Sequence, residues 1–167
     1  MYRLYLLRHA EASHATAVRQ DFDRPLSDRG RQDAADLGLA MKKAGFMPAF
    51  VLCSSAIRAR QTWEAMTPAL ASPSIEASYL PELYRGDAAD YRILIATSSV
   101  EESLLVIGHN PMVQELAFLL LRGGGEARAE LSAGFLPGSL AVLDFPEPLW
   151  SIAPRTATLV TFLSPRQ

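Results

Sequence analysis

The sequence predicts an α/β protein, a three-layer α/β/α sandwich around a mostly parallel sheet, and three observations carry that prediction. Short runs of large apolar residues recur at Leu4-Tyr5-Leu6-Leu7, Ala49–Cys53 and Ser103–Ile107, each of strand rather than helix length. Between them lie stretches whose apolar residues recur at helical spacing. Alternation of the two implies parallel strands joined by crossover helices that cover both faces of the sheet. With 167 residues, 49% of them hydrophobic and 20% charged, the chain suits one domain over 1–167 with a single sizeable core.

The first run stops at Arg8-His9-Ala10-Glu11. An arginine and a histidine therefore stand where a strand ends, the rim at which open α/β sheets bind ligands. Residues 11–26 are polar and irregular and Pro25 closes them, which predicts a loop beside that rim. Ser27 then caps a helix, with Asp28 placing negative charge in its first turn, Ala34, Leu37, Met41 and Ala44 on its apolar face, and Gly45 as its stop. The strand Ala49–Cys53 leads into Ser54-Ser55, where Ser55 is a possible cap for a helix striped by Ala59, Trp63, Met66 and Leu70. Arg58 falls in its first turn and off the stripe, beside free N–H groups that favour an anion. Pro68 and Pro73 bracket the helix end, and Ile75–Ala77 reads as a short strand.

Leu80–Asp90 reads as a loop containing Glu82, Tyr84, Arg85, Gly86 and Asp87, followed by a short helix over about Ala88–Ala96. The strand Ser103–Ile107 ends at Gly108-His109-Asn110-Pro111, with Asn110 as helix cap and Pro111 as first helical residue. Val113, Leu116, Ala117 and Leu120 form one apolar face, and Gly123-Gly124-Gly125 ends that helix. Gly138–Phe145 and Thr156–Leu163 are two further strands, joined by a Pro-containing loop through Trp150.

Sixteen Lys and Arg against 18 Asp and Glu give a net charge of −2, so no global basic field is available for nucleic acid or an anionic membrane. Anion recognition then has to come from a local pocket. The single cysteine, Cys53, lies in an apolar run and reads as a small core residue, and it has no intrachain partner for a disulfide. Arg3 and Arg8 interrupt the N-terminal apolar run, which leaves no signal-peptide core, and no stretch reaches membrane-spanning length. A cytoplasmic location is expected.

Taken singly, Arg8 also reads as a surface charge, His109 as a satisfied core histidine and Arg58 as a solvated helix residue. Together Arg8, His9, Arg58 and His109 fall at the carboxyl ends of strands or on the following first turn, which a doubly wound sheet gathers at one rim. Two guanidiniums, a nucleophilic imidazole at His9 and a second imidazole are what phosphoryl transfer requires: positioning, and compensation of charge on the equatorial oxygens. Ser13, Ser55 and Asn110 are candidate phosphate or substrate contacts. The spacing His9-Ala10-Glu11-Ala12-Ser13-His14 does not match a two-histidine helical zinc motif, so no metal site is expected there. Neither Ser54 nor Ser55 lies in a Gly-x-Ser-x-Gly turn, which makes capping and phosphate contact the better readings.

Leu7-Arg8-His9-Ala10-Glu11 resembles the signature of the histidine phosphatase superfamily, the phosphoglycerate mutase-like fold. Leu26-Ser27-Asp28-Arg29-Gly30, the segment from Ser54 to Thr62 and Val106-Ile107-Gly108-His109-Asn110-Pro111 are similar to its later motifs, in the right order. Leu136–Leu143 and the ending Leu163-Ser164-Pro165-Arg166 resemble the small SixA-type branch, the phosphohistidine phosphatases, so the resemblance covers essentially the whole chain. It implies His9 as the nucleophile that becomes phosphohistidine, with Arg8, Arg58 and His109 completing the phosphate pocket, and it implies neither metal nor organic cofactor. The family has Gly where Ala10 stands here, and Ala is small enough to keep the backbone close to a phosphate. In mutase-like members a glutamate after the third strand donates the proton. Glu82 occupies a similar place, Asp87 competes with it, and a third reading makes both solvated loop carboxylates.

Many members with small-molecule substrates carry long insertions that roof the site. Here only about twenty-five residues separate Ile75 from the strand near Ser103, too few for a cap domain. An uncapped site admits a phosphorylated protein. The expectation is therefore a phosphohistidine phosphatase, with a phosphomonoesterase of small phosphate esters as alternative and a non-catalytic phosphate-binding module as the alternative of another class.

Overall fold

The computed structural model describes residues 1–14, 16, 20–70, 75–100 and 102–165; Pro73 and Arg166 lie outside them. Six strands form one sheet: β1 (Tyr2–Arg8), β2 (Phe50–Ser54), β3 (Glu76–Leu80), β4 (Ser103–Gly108), β5 (Leu140–Phe145) and β6 (Thr158–Leu163). Their order is β3-β2-β4-β1-β5-β6. The first four are mutually parallel, whereas β5 runs antiparallel to β1 and β6 antiparallel to β5. The sheet is mostly parallel, as expected, and mixed, with β5 and β6 adding an antiparallel pair at one side.

The central strands are buried on both faces, and their side chains alternate between two cores with the two-residue period of a strand. Leu4 and Leu6 point with Leu104 and Val106 into a core completed by Tyr91, Ile95, Val113 and Leu116. Tyr5 and Leu7 point with Val51, Cys53, Leu105 and Ile107 into a second core with Met41, Trp63 and Met66. Helices α1 (Asp28–Lys43) and α2 (Ile57–Leu70) cover that second face, and α4 (Ala88–Thr97), α5 (Met112–Leu120) and α6 (Glu126–Ser132) the first. Between β3 and β4 the described residues add α4 and the one-turn helix α3 (Glu82–Arg85), and none of them builds a roof. Among the described residues no helix is long and apolar enough to cross a membrane.

The helix starts show which local signals prevailed. The Ser27 hydroxyl accepts from the Gly30 amide at 3.0 Å, as its position before the apolar stripe requires. Gly30 is obligatory for packing: a Cβ there would lie 2.0 Å from the Glu11 carbonyl oxygen, where α1 abuts the chain leaving β1. Ser55 does not cap α2; its hydroxyl has no partner among the described residues, and Ser54 instead accepts from the Ala56 amide at 3.3 Å. Asn110 does not cap α5 either. The peptide bond to Pro111 is cis, Pro111 takes the cap position, and the Asn110 amide donates to Gln114 and to the Phe135 carbonyl. The Gly123-Gly124-Gly125 run does not end α5, which stops at Leu120; Gly125 instead precedes α6, a helix that its short and weakly amphipathic sequence does not announce. The segment read as the loop 11–26 contains a 3-10 turn at Asp21–Asp23, and that read as the loop 80–90 contains α3.

Candidate active site

Strand register builds the site. Arg8 of β1 pairs with Gly108 of β4, and Cys53 of β2 with Ile107, so the carboxyl ends of three adjacent strands stop at one level. His9 and His109, each one residue beyond that level, lie with ring centroids 5.0 Å apart. The close approach of neighbouring elements depends on Gly108, where a Cβ would meet the Tyr91 ring at 2.5 Å. The Tyr91 hydroxyl in turn accepts from the His109 amide at 3.2 Å and donates to the Leu83 carbonyl.

His9, Arg58 and His109 are buried, at 8%, 6% and 5% exposure. The His9 Nδ1 lies 2.7 Å from the Ala10 carbonyl oxygen, which can only accept, so Nδ1 carries the proton and Nε2 presents its lone pair. That Nε2 faces Arg58 Nε at 3.2 Å. Arg58 Nη2 reaches His109 Nδ1 at 3.3 Å, and His109 Nε2 therefore carries the proton and donates to the Ser54 hydroxyl at 2.7 Å. Arg8 sends Nη1 to the Phe135 carbonyl at 2.7 Å, while its buried Nε–H has no partner among the described residues. A cleft of about 280 Å³ opens over these groups, lined by Arg8, His9, Arg24, Arg58, His109 and Asn110 among others.

Burial is the main reason both imidazoles are neutral. It pushes His9 down to about 3, opposed by the Ala10 carbonyl and assisted by His109, Arg58 and Arg8. It pushes His109 down to about 4, with Arg58 assisting and Asp21 opposing. Burial, then the neighbouring Arg58, also lowers the affinity of the Arg8 guanidinium for its proton. A neutral imidazole whose unprotonated nitrogen faces Arg58, in a cleft that Arg8 also lines, can attack an electrophilic phosphorus, and the guanidiniums can hold the oxygens of a dianion.

The structure brings Arg8, His9, Arg58, His109 and Asn110 to one cleft and leaves the other candidates outside its lining. The Ser13 hydroxyl donates to the Pro25 carbonyl at 3.2 Å, and Ser55 lies at the turn before α2. Glu82 is exposed in the first turn of α3 and lines a neighbouring groove with Pro81, Arg85 and Asp90. The Asp87 carboxylate is occupied as the cap of α4, accepting from the Asp90 amide at 2.9 Å. Among the described residues no group of three or more His, Cys, Asp or Glu could hold a metal ion.

Other contributors lie outside the motifs. The Asp21 carbonyl accepts from Arg58 Nη1 at 2.7 Å and its carboxylate from Nη2 at 3.1 Å. Tyr84 stands edge-on to His109, with centroids 5.5 Å apart. The buried Thr62 hydroxyl accepts from the Ala10 amide at 3.0 Å and donates to the Arg58 carbonyl at 2.7 Å, tying the strand end to α2. Thr62 was legible as the last residue of the Ser54–Thr62 motif; nothing local marks Asp21.

The family description "histidine phosphatase superfamily (branch 1)" matches residues 4–102. An uncharacterized protein of Mycobacterium tuberculosis is 35% identical, with 96% of this chain and 100% of the relative covered. An uncharacterized chloroplastic protein of Arabidopsis thaliana is 33% identical over 71% of this chain, and the match spans 58% of that relative's length. Among solved structures, a protein of Agrobacterium tumefaciens assigned as a phosphohistidine phosphatase SixA is 33% identical, covers 98% of both chains and superposes with a TM-score of 0.82. The protein histidine phosphatase SixA complexed with tungstate is 27% identical, with 98% of this chain and 97% of that one covered and a TM-score of 0.74. With its fold, its four ordered motifs and these likenesses in agreement, the chain belongs to branch 1 of the histidine phosphatase superfamily.

Proposed function

We propose that this chain, as one domain over 1–167, is a phosphatase that works through a phosphohistidine on His9 and removes phosphate from phosphohistidine in a protein. The observation that carries the reading is the orientation of His9: Nδ1–H is held by the Ala10 carbonyl, and the nucleophilic Nε2 faces Arg58 inside a cleft lined by arginines. Tungstate is a phosphate-like oxyanion, so its complex with a similar SixA protein supports an oxyanion site in this fold.

In the first step His9 Nε2 forms a bond to phosphorus as the bond from phosphorus to the leaving nitrogen breaks, with the leaving imidazole taking a proton. In the second, water attacks the phosphohistidine, inorganic phosphate leaves and His9 recovers its lone pair. Arg8 and Arg58 hold the transferring group, His109 completes the pocket by accepting from Arg58 and so orienting that guanidinium, and Arg24 adds a third cation at the cleft. No metal ion takes part, since the guanidiniums supply the positive charge that the transition state needs. Asn110 contacts the substrate from the cleft wall, and the Ser13 hydroxyl supports the neighbouring loop through the Pro25 carbonyl. Glu82 is the candidate proton donor and water activator; a protonated imidazole leaves readily, so the reaction makes little demand on it. The short stretch between β3 and β4 leaves the mouth open to a bulky phosphoprotein.

Rapid quench with labelled substrate should trap an acid-labile phosphoenzyme, and His9→Ala should abolish both it and turnover. Wild-type turnover in His9→Ala would refute the assignment, and a phosphorylated ligand that binds without ever turning over would make the chain a binding module. For substrate class, specificity constants for a histidine-phosphorylated carrier protein are compared with those for a panel of phosphate monoesters. Preference for the protein should persist in Glu82→Gln. An ester preferred by several orders of magnitude, and lost in Glu82→Gln, would make the chain a small-molecule phosphomonoesterase.

A further inference from the structure

The 3-10 turn Asp21–Asp23 presses one residue against the edge of Arg58 that faces away from His9. Arg58 Nε points to His9, whereas Nη1 and Nη2 are both engaged by Asp21, through its carbonyl at 2.7 Å and its carboxylate at 3.1 Å. The same carboxylate accepts from the Tyr84 hydroxyl at 2.9 Å and from Arg24 Nη1 at 2.9 Å. Three donors on two oxygens fix its position although its side chain is 51% exposed. Asp21 is also one wall of a second groove, about 460 Å³, that adjoins the catalytic cleft and is lined by Gln20, Asp21, Phe22, Asp23, Tyr84 and Arg85. Its lining carries two carboxylates, Asp21 and Asp23, and one guanidinium, Arg85, and the Asp21 carboxylate is itself paired with Arg58 and Arg24. Its aromatic pair, Phe22 and Tyr84, packs edge to face with centroids 5.0 Å apart.

We propose that Asp21 is a specificity-determining residue of the site: its carboxylate, held against the outer edge of Arg58, selects against ligands whose leaving group carries a negative charge and favours neutral or cationic ones. The physical reason is that a phosphoryl group seated on Arg58 and His9 places the rest of its molecule beside Asp21, where an added carboxylate meets a fixed like charge. A flat, protonated imidazole instead meets an anion and two aromatic rings, both of which attract it. The inference deepens the phosphatase reading and rests on it for the location of the phosphoryl group.

The test uses the full chain carrying His9→Ala, so that ligands bind without turnover. Glycerol 3-phosphate and 3-phosphoglycerate share a phosphoryl ester and differ by one carboxylate. Their dissociation constants are measured by calorimetry with Asp21 intact and in Asp21→Asn, which keeps the size and an acceptor oxygen. The carboxylate-bearing ligand should bind more weakly, and Asp21→Asn should narrow the gap about tenfold, less at high salt, as expected for like charges across a partly solvated mouth. A purely structural role would weaken both ligands equally and leave their ratio unchanged, which would overturn the inference; so would absence of binding by either ligand. If Asp21→Asn does not fold, Asp23→Asn on the same groove should move the ratio in the same direction by a smaller factor, and no movement overturns the inference. Failure of the wild-type chain to form a phosphoenzyme would overturn the phosphatase reading alone, because the ratio is read at equilibrium.

Discussion

Lowering the pH from 8 to 5 should destabilise the folded chain through two buried imidazoles. An unfolded histidine titrates near ~6.5, whereas burial pushes His9 down to about 3 and His109 down to about 4 in the folded chain. Between those values the unfolded chain binds more protons than the folded one, so stability rises with pH across the window. The contribution is fully present above about pH 6.5 and is lost progressively as pH falls toward the folded values. From pH 6.5 to 5 is about 1.5 units, and at about 1.4 kcal/mol per unit each imidazole costs about 2 kcal/mol, or about 4 kcal/mol for the pair. Asp21 does not confuse the measurement. Burial opposes its ionisation, but Arg24, Tyr84 and Arg58 hold its carboxyl at about 2. Its contribution is therefore lost only as the pH falls below the ordinary carboxylate value of about 3.9. Urea unfolding at pH 8 and pH 5 reads the effect as a shift in midpoint at constant slope. The pH-dependent loss should shrink by about 2 kcal/mol in His9→Gln and again in His109→Gln. If the double variant loses as much stability between the two pH values as the wild type, the imidazoles are not the cause and the reasoning fails.

Two further substitutions probe the supports of the site. Tyr91→Phe removes the hydroxyl that accepts from the His109 amide and donates to the Leu83 carbonyl. It leaves two buried groups unpaired and should lower stability by about 2–4 kcal/mol, measured by urea unfolding; a loss below about 0.5 kcal/mol would show that neither bond matters. Ser54→Ala frees His109 Nε2 from its partner at 2.7 Å and should reduce kcat/KM about tenfold, the equivalent of one positioning hydrogen bond of about 1.4 kcal/mol. Unchanged kinetics would refute a role for Ser54 in orienting the ring.

What the sequence determined by itself lies where local chemistry suffices. Leu4 to Leu7 had to be buried on both faces, and the first polar residues after them, Arg8 and His9, therefore had to fall at a strand end. The Ser27 cap and the Asp28 turn follow from unsatisfied N–H groups at a helix start, and the carboxyl-rim position of His109 follows from Ser103–Ile107 in the same way as that of His9. Other local signals were outweighed: Asn110 and Ser55 have the chemistry of caps, but the chain geometry at Pro111 and the place of Ser54 directed their side chains elsewhere. Only the tertiary structure decided that β4 stands between β2 and β1, which brings His109 between the strand ends that carry His9 and Arg58. It also decided the reversal of β5 and β6, since strand order and direction are set by the packing of whole layers. Glu82 and Asp21 show the same limit in the site. Glu82 follows a strand and carries an acid, yet α3 aims it at a neighbouring groove. Asp21 sits in a polar stretch without periodicity, and its role arises from contacts with Arg58 and Tyr84, 37 and 63 residues further along the chain. Strand ends and helix caps are properties of a few consecutive residues and can be read in order. A carboxylate that meets a guanidinium across a loop depends on where two distant segments come to rest, and only the folded chain contains that distance.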